Sequence, residues 1–414
     1  MNSELPRDLR HNVTVNLLDG AFFGFGQGFA SFVTIIPLFV SSMTDSLLLI
    51  GLIPAIHNAG WQLPQLFIAG RIARQARIKP LLLGVTTFER LPYLGLALVA
   101  FLLPRLGAQA GLVAVFGLLI VQGLGAGFAA NPWQNLIGKI VPGNRRGTFF
   151  GLQAGLSSML GSLSAVAAGL ILGGFSGYAG FVICFVLASL LMAVSWGFLA
   201  WTREPRTPSW MLEDASAQPE LFTRLKQVLE KDRAFRWFLL ARIGSMFATI
   251  GYAFYTVYAV QHHGVSKVEA GLMTGLLMGV QIVANISMGW LGDRLSHRLM
   301  MEVGLAAMGL SALLAWWAPA PAWFYLVFAL AALGYVATWT VAMSMTLEFG
   351  SEEERPAYIG MANTLVAPAN ILAPFLGGWL ANSFGYAAAF AASAAGALLA
   401  VSVLHFRVRA PRVP

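Results

Sequence analysis

Gly289-Trp290-Leu291-Gly292-Asp293-Arg294-Leu295-Ser296-His297-Arg298 is a short charged knot between two long apolar stretches. Its glycines let helices approach and the backbone bend, while Asp and Arg can form ion pairs in one arrangement and lose them in another. What flanks the knot decides its surroundings. Of 414 residues, 11% are charged and 57% hydrophobic, against about 25% charged in a typical soluble domain. Windows of roughly 20 apolar residues, the length that crosses ~30 Å of hydrocarbon as a helix, recur at 13–40, 47–69, 81–103, 111–137, 149–172, 178–201, 237–260, 270–290, 299–317, 323–349, 358–380 and 386–406. The polar and apolar alternation of a membrane barrel is missing, so these spans read as helices.

The knot resembles the G-x-L-x-D-R-x-x-x-R signature of the major facilitator superfamily of transporters, where it forms a tight cytoplasmic turn between two membrane helices. The resemblance implies an all-α membrane protein of twelve transmembrane helices, arranged as two pseudo-symmetric six-helix bundles. It also implies a conformational switch at Gly289, Asp293, Arg294 and Arg298, with Asp293 meeting the start of the fifth helix near Arg146. The equivalent first-half turn, Gly70-Arg71-Ile72-Ala73-Arg74-Gln75, lacks the acid. The expected partner for Arg71 and Arg74 is then the acidic loop before the eleventh helix, Glu352, Glu353 and Glu354. Ala373-Pro374-Phe375-Leu376-Gly377-Gly378 resembles the G-P-x-x-G-G element that drug–proton antiporters of the superfamily carry in helix five, but here it lies in the eleventh span.

Charge placement predicts orientation, because Lys and Arg of short loops stay cytoplasmic. With the first helix running outward, 22 of the 26 Lys and Arg residues fall on one side. Arg105 and Lys267 fall on the other, and Arg90 and Arg242 lie inside spans. Both termini are therefore expected in the cytoplasm, with the chain multi-pass in the cell (inner) membrane. Topology accounts for the formal charge of +8, and no aromatics interleave with the basic runs as a nucleic-acid surface would need. The single Cys184 excludes an internal disulfide and a thiolate metal site. The apolar run behind the polar N-terminus is too long for a signal-peptide core.

The chain divides into an N-terminal bundle, 1–201, a linker, 202–236, and a C-terminal bundle, 237–414. Within the linker, Leu221, Leu225, Val228 and Leu229 share one helical face, as in an interfacial amphipathic helix. Arg146-Gly-Thr-Phe149-Phe-Gly151 and Arg355-Pro-Ala-Tyr358-Ile-Gly360 share an R-x-x-aromatic-x-G pattern at an offset of 209, which fits a parallel repeat of two halves.

Polar groups inside the membrane are costly and mark candidate sites. His57, Trp61 and Gln65 recur at i, i+4 and i+8 along the second span, and an offset of 220 places Gln281 and Asn285 over Trp61 and Gln65. These residues, with Gln27, Asn131, Trp133, Tyr252, Tyr255, Trp339 and Asn363, form the expected substrate cavity. Interhelical hydrogen bonding is the alternative reading of the amides. Asn131-Pro132 is expected to break the fourth helix. Glu89, His57 and Asp19 are the proton-coupling candidates. Glu89 and Arg90 point about 100° apart on the third helix, so each calls for another partner. Asp19 and Arg242, about two turns inside the first and seventh spans, are candidates to cap or to pair near the cytoplasmic mouth. Gly20, Gly24, Gly28 and Gly123, Gly125, Gly127 read as close helix approach rather than phosphate loops.

No Ser/His/Asp grouping, metal-ligand spacing or nucleotide loop appears, so the expectation is a transporter and not an enzyme, with no cofactor. The expected function is proton-coupled export of a small amphipathic compound by alternating access, as a monomer in the bilayer. A metabolite importer or facilitator, a lipid flippase and a non-transporting sensor on the same scaffold are the alternatives.

Overall fold

The computed structural model of the chain describes residues 5–32, 35–44, 47–207, 221–265 and 267–408. Residues 208–220 of the linker, Arg409 and Arg412 lie outside the described residues. Among the described residues the structure is helical, without strands. Among the described residues, eight helical segments are long and apolar enough to cross a membrane. One of them, Lys79–Ile140, is folded into two passes at Gly107, whose φ of 75° and ψ of 163° lie where a side chain would be strained.

Three more passes are broken helices, which gives twelve among the described residues. The first runs Leu5–Phe29 and resumes as Ile35–Ser41, with Pro37 in the opening turn, where a missing N–H costs little. The second runs Leu47–Gln62 and Gln65–Ala73, separated at Pro64. The third and fourth are the arms of Lys79–Ile140, and the fifth and sixth are Arg146–Gly174 and Ala179–Ala200. The seventh joins Arg233–Ala248 to Tyr255–His263 through a 3-10 turn at Gly251–Ala253. The eighth and ninth are Lys267–Arg294 and His297–Trp317. The tenth, Trp323–Val336 and Ala342–Thr346, contains a π-helical turn at Ala337–Val341. The eleventh is Arg355–Thr364 with Ala367–Phe384, and the twelfth is Tyr386–Arg407. In the linker, Leu221–Lys231 is a helix.

Pro132 does not break the fourth pass as the sequence suggested: among the described residues the only non-helical backbone inside Lys79–Ile140 is at Gly107. Nearby, the Asn135 side chain donates to the Asn131 carbonyl at 2.9 Å.

The helices are apolar inside and outside. Phe39, Tyr93, Phe185 and Met192 are buried in the core of the first half, while Phe101, Leu170 and Trp317 are exposed. That is the surface a hydrocarbon solvent requires. Glycine sets the closest approaches: a Cβ on Gly60 would lie 2.6 Å from the Gly123 backbone, and one on Gly127 would lie 2.1 Å from the Gly60 carbonyl. The second and fourth passes therefore touch backbone to backbone.

The chain forms two compact units. One comprises 1–141, 156–217 and 352–364, the other 142–155, 218–351 and 365–414. The start of the fifth pass thus belongs with second-half residues, and the start of the eleventh with first-half residues. The offset of 209 that relates the two R-x-x-aromatic-x-G motifs carries 142–155 onto 351–364, so the exchange itself obeys the repeat. Side chains repeat it too. Arg146 donates to the Leu347 carbonyl at 3.4 Å, and Arg355 lies 3.2 Å from the Cβ position of Gly138, the residue that the same offset pairs with Leu347.

Candidate functional site

In the first unit, charged side chains from two passes and a serine from a third meet inside the membrane. Arg90 donates to Asp19 Oδ1 at 3.2 Å and to Ser195 Oγ at 3.1 Å, and Ser195 donates to the same Asp19 oxygen at 2.6 Å. Asp19, Arg90 and Ser195 are buried. Glu89 Oε2 stands 3.6 Å from Arg90 Nη1, closer than a 100° separation on one helix suggested. Asp19 therefore takes a cation from the third pass. The Arg90 guanidinium also faces the Phe23 ring at 5.4 Å. Helix approach exposes this cluster to its neighbours: a Cβ on Gly125 would lie 2.5 Å from the Glu89 nitrogen.

One turn along the third pass, the buried Tyr93 hydroxyl faces Gln27 and Gln122. Gln122 in turn bonds His57 Nδ1 at 3.0 Å, and the imidazole stacks on Phe32 at 4.1 Å. The three proton-coupling candidates, Asp19, His57 and Glu89, thus lie in one unit on adjoining polar groups. Ser195, Tyr93 and Gln122 belong to the same constellation and were not singled out from sequence. Single hydroxyls and amides in apolar spans carry no periodic signal.

The polar stripe of the second pass is engaged in hydrogen bonds between helices. Asn363 Nδ2 donates to Gln65 Oε1 at 2.6 Å, Asn131 Nδ2 donates to the Gln65 and Pro356 carbonyls at 2.8 and 3.0 Å, and Thr364 Oγ1 donates to the Gln62 carbonyl at 3.1 Å. Gln65, Asn131 and Asn363 are buried, whereas Trp61 and Trp133 are half-buried. Amide side chains thus hold the start of the eleventh pass.

The second unit brings an aromatic group together around the π-helical turn. Tyr252 stacks on Tyr335 with centroids 5.9 Å apart, and Tyr335 lies 6.3 Å from Trp339. Thr340 Oγ1 donates to Asn285 Oδ1 at 2.6 Å, while the Gln281 side chain faces Tyr252. A π-helical turn rotates the residues behind it out of α-helical phase and often marks a functional position. Tyr335 and Thr340 were not anticipated, since nothing in the sequence signals the π turn. Tyr255 parts from its neighbour Tyr252: it is fully buried, its hydroxyl meets Ser311 at 2.8 Å, and its ring packs on Phe390 and Phe328.

In the same unit, Asp293 accepts from the Gly147 nitrogen at 2.8 Å and from the Thr148 nitrogen and hydroxyl at 2.6 Å each. Free N–H groups at a helix start favour a carboxylate there. His297 adds a contact absent from the sequence reading. Its Nε2 stands 3.4 Å from Asp293, and its Nδ1 bonds Glu348 at the end of the tenth pass. Arg294 stacks on Trp290 at 3.9 Å, and Arg298 bonds Glu302 at 2.7 Å. Gly289 lets the fifth pass close in, since a Cβ there would meet the Gly147 carbonyl at 2.2 Å.

Arg71 and Arg74 are exposed and form no ion pair among the described residues. Glu352 and Glu353 instead share the lining of a small cavity, about 40 Å³, with Lys139, Arg355 and Gln75.

A family model of the Major Facilitator Superfamily matches residues 86–260 and 243–414. Among solved structures, the E. coli fucose:proton symporter FucP is 14% identical with a TM-score of 0.76, covering 96% of this chain and 98% of that one. The proton:xylose symporter XylE is 16% identical, with a TM-score of 0.72 and coverage of 98% and 97%. A bacterial homologue of the iron transporter ferroportin, in an outward-facing state, is 16% identical, with a TM-score of 0.74 and coverage of 95% and 98%. No curated protein sequence matches the chain. Such identities speak for the fold, and the family model supplies the rest: the match runs through most of both six-helix halves, and the chain belongs to the Major Facilitator Superfamily.

Proposed function

We propose that this chain is a proton-coupled secondary transporter working by alternating access, in which the Asp19–Arg90–Glu89 cluster binds and releases the proton and the Tyr252–Tyr335–Trp339 group, with Gln281 and Asn285, holds a small amphipathic compound. The observation that carries the coupling is two carboxylates against one guanidinium inside the membrane. Intramembrane ionisable groups are expensive and mark ion pathways. Protonating Glu89 leaves Arg90 with Asp19 and Ser195, so the cluster can hold one proton more or less without abandoning a buried charge. Export is the direction we favour. The two symporters that share the fold favour the second reading, uptake together with protons. The charge asymmetry of the loops supports cytoplasmic termini in the cell (inner) membrane.

Proteoliposomes loaded with a pH-sensitive dye and challenged with a panel of aromatic amphipathic compounds and sugars test the proposal. Compound-dependent proton flux in the wild type, lost in Glu89→Gln, is the expected result. The sign of the flux decides between export and uptake. Flux that persists unchanged in Glu89→Gln and Asp19→Asn overturns the coupling site.

A further inference from the structure

The segment after the sixth pass is stitched to the ends of three other passes. Asn12 Nδ2 donates to the Arg203 carbonyl at 2.9 Å and Asn12 Oδ1 accepts from the Arg203 nitrogen at 2.8 Å. Asn16 donates to Thr202 Oγ1 at 3.0 Å. Glu204, buried, accepts from the Ile78 and Lys79 nitrogens and from Lys139 Nζ at 2.7, 2.8 and 2.9 Å. These bonds hold open a cleft of about 480 Å³, within the range of small-ligand sites.

The charges around this cleft do not cancel. Asp8 is matched by Arg203 at 2.8 Å. Glu204 is matched by Lys139, which stands outside the cleft. Two cations remain on the lining, Lys79 and Arg77. Lys79 Nζ donates to the Ala200 and Thr202 carbonyls at 3.1 and 2.9 Å, which fixes the ammonium in place and leaves its third N–H free. Arg77 is exposed and forms no ion pair or hydrogen bond among the described residues. A fixed ammonium beside an unengaged guanidinium suits a tetrahedral oxyanion.

The aromatic rim places the cleft at a membrane surface. Trp201, 65% exposed, lies edge-on to Phe198 at 5.6 Å, and Phe198 stacks on Phe22 at 5.5 Å. Indoles take this position at headgroup level, and basic pockets between helix ends hold anionic headgroups.

We infer that the cleft between Asn12, Arg77, Lys79 and the 201–205 segment binds a phosphate-bearing anion, with Arg77 and Lys79 as its ligands. The site is independent of the transport pathway proposed above. Its occupant bridges the first, third and sixth passes and so braces the first half where the linker begins.

The test is thermal melting of the full-length protein in neutral detergent, titrated with short-chain phosphatidylglycerol, short-chain phosphatidylcholine, glycerol 3-phosphate and inorganic phosphate. Arg77→Gln is compared with Arg74→Gln, an exposed arginine of the same segment that does not line the cleft. We expect saturable stabilisation by phosphatidylglycerol, weakened about tenfold or more by Arg77→Gln, as loss of a charge-assisted bond implies, and changed less than about twofold by Arg74→Gln. Stabilisation confined to phosphatidylglycerol identifies a lipid headgroup. Equal stabilisation by glycerol 3-phosphate or inorganic phosphate identifies a soluble anion. Stabilisation by phosphatidylcholine equal to that by phosphatidylglycerol, equal sensitivity of the two arginine variants, or no stabilisation by any of the four overturns the inference.

Discussion

Asp293 closes on Thr148 through two bonds at once, to its nitrogen and to its hydroxyl, each 2.6 Å. A carboxylate at the last turn of the eighth pass is thereby the cap of the fifth. Hydrogen bonds to a charged group contribute about 1.5–3 kcal/mol each, and the helix dipole adds about 0.3–1 kcal/mol. Asp293→Asn keeps the shape and removes the charge. We predict slower transport and increased labelling of a Thr148→Cys reporter on that background, with melting lowered by only a few degrees. Unchanged labelling shows that the cap does not hold the two passes together.

Gly289 makes the same contact possible from the other side. A methyl at this position meets the Gly147 carbonyl at 2.2 Å, a clash with backbone that no rotamer relieves. Gly289→Ala therefore forces the fifth and eighth passes apart and mimics the loss of Asp293. At Gly117 nothing lies within 4 Å of a new Cβ, and removing a helix-interior glycine is worth about 0.5–1 kcal/mol. Gly117→Ala is expected to leave transport intact and to match or exceed wild-type melting, so the pair separates steric closure from glycine's general cost.

Arg90 is the keystone of the intramembrane cluster, and its removal differs in kind from that of Glu89. Taking away the guanidinium leaves Asp19 buried without its cation, which costs about 3–5 kcal/mol for a buried pair. Arg90→Ala should lower folded yield and melting sharply, while Glu89→Gln keeps a neutral hydrogen-bonding side chain and should melt near the wild type. If Arg90→Ala is as stable as the wild type, water reaches Asp19 and the cluster is not dry. A double variant, Arg90→Leu with Asp19→Leu, should recover most of the lost stability without recovering coupling.

How much of this was legible in the sequence depends on the signal each residue leaves. The passes show because roughly twenty apolar residues in a row match the thickness of a bilayer and exceed what a soluble core helix needs. The turn at Gly289–Arg298 shows because its charges stand out against hydrocarbon. The repeat shows at Arg146 and Arg355 because two arginines at helix starts keep a fixed offset. Ser195, Tyr93 and Gln122 did not show, since their role comes from which passes pack together. His297 was hidden inside the very motif that identified the fold: its spacing reads as one more basic residue, and only the end of the tenth pass supplies Glu348. The pairing of Arg71 and Arg74 with the acidic loop was read from charge alone, which does not say which arrangement of the helices would bring the two together; here both arginines are exposed and in no ion pair among the described residues.

The aromatic group of the second unit yields the last prediction. Tyr252, Tyr335 and Trp339 stand together beside Gln281 and Asn285, while Tyr255, three residues from Tyr252, is locked into packing by Ser311 and Phe390. Aromatic contacts are worth about 0.5–1.5 kcal/mol beyond burial, so removing one ring from a ligand platform weakens binding about 2- to 10-fold. Tyr335→Ala and Trp339→Ala should lower the affinity of a transported compound by that much, measured by ligand-induced shifts in melting. Tyr255→Phe, which removes only a buried hydroxyl bond of about 1 kcal/mol, should lower melting and leave affinity untouched. If instead Tyr255→Phe changes affinity and Trp339→Ala does not, the compound sits deeper along the seventh pass and the π-helical turn serves packing alone.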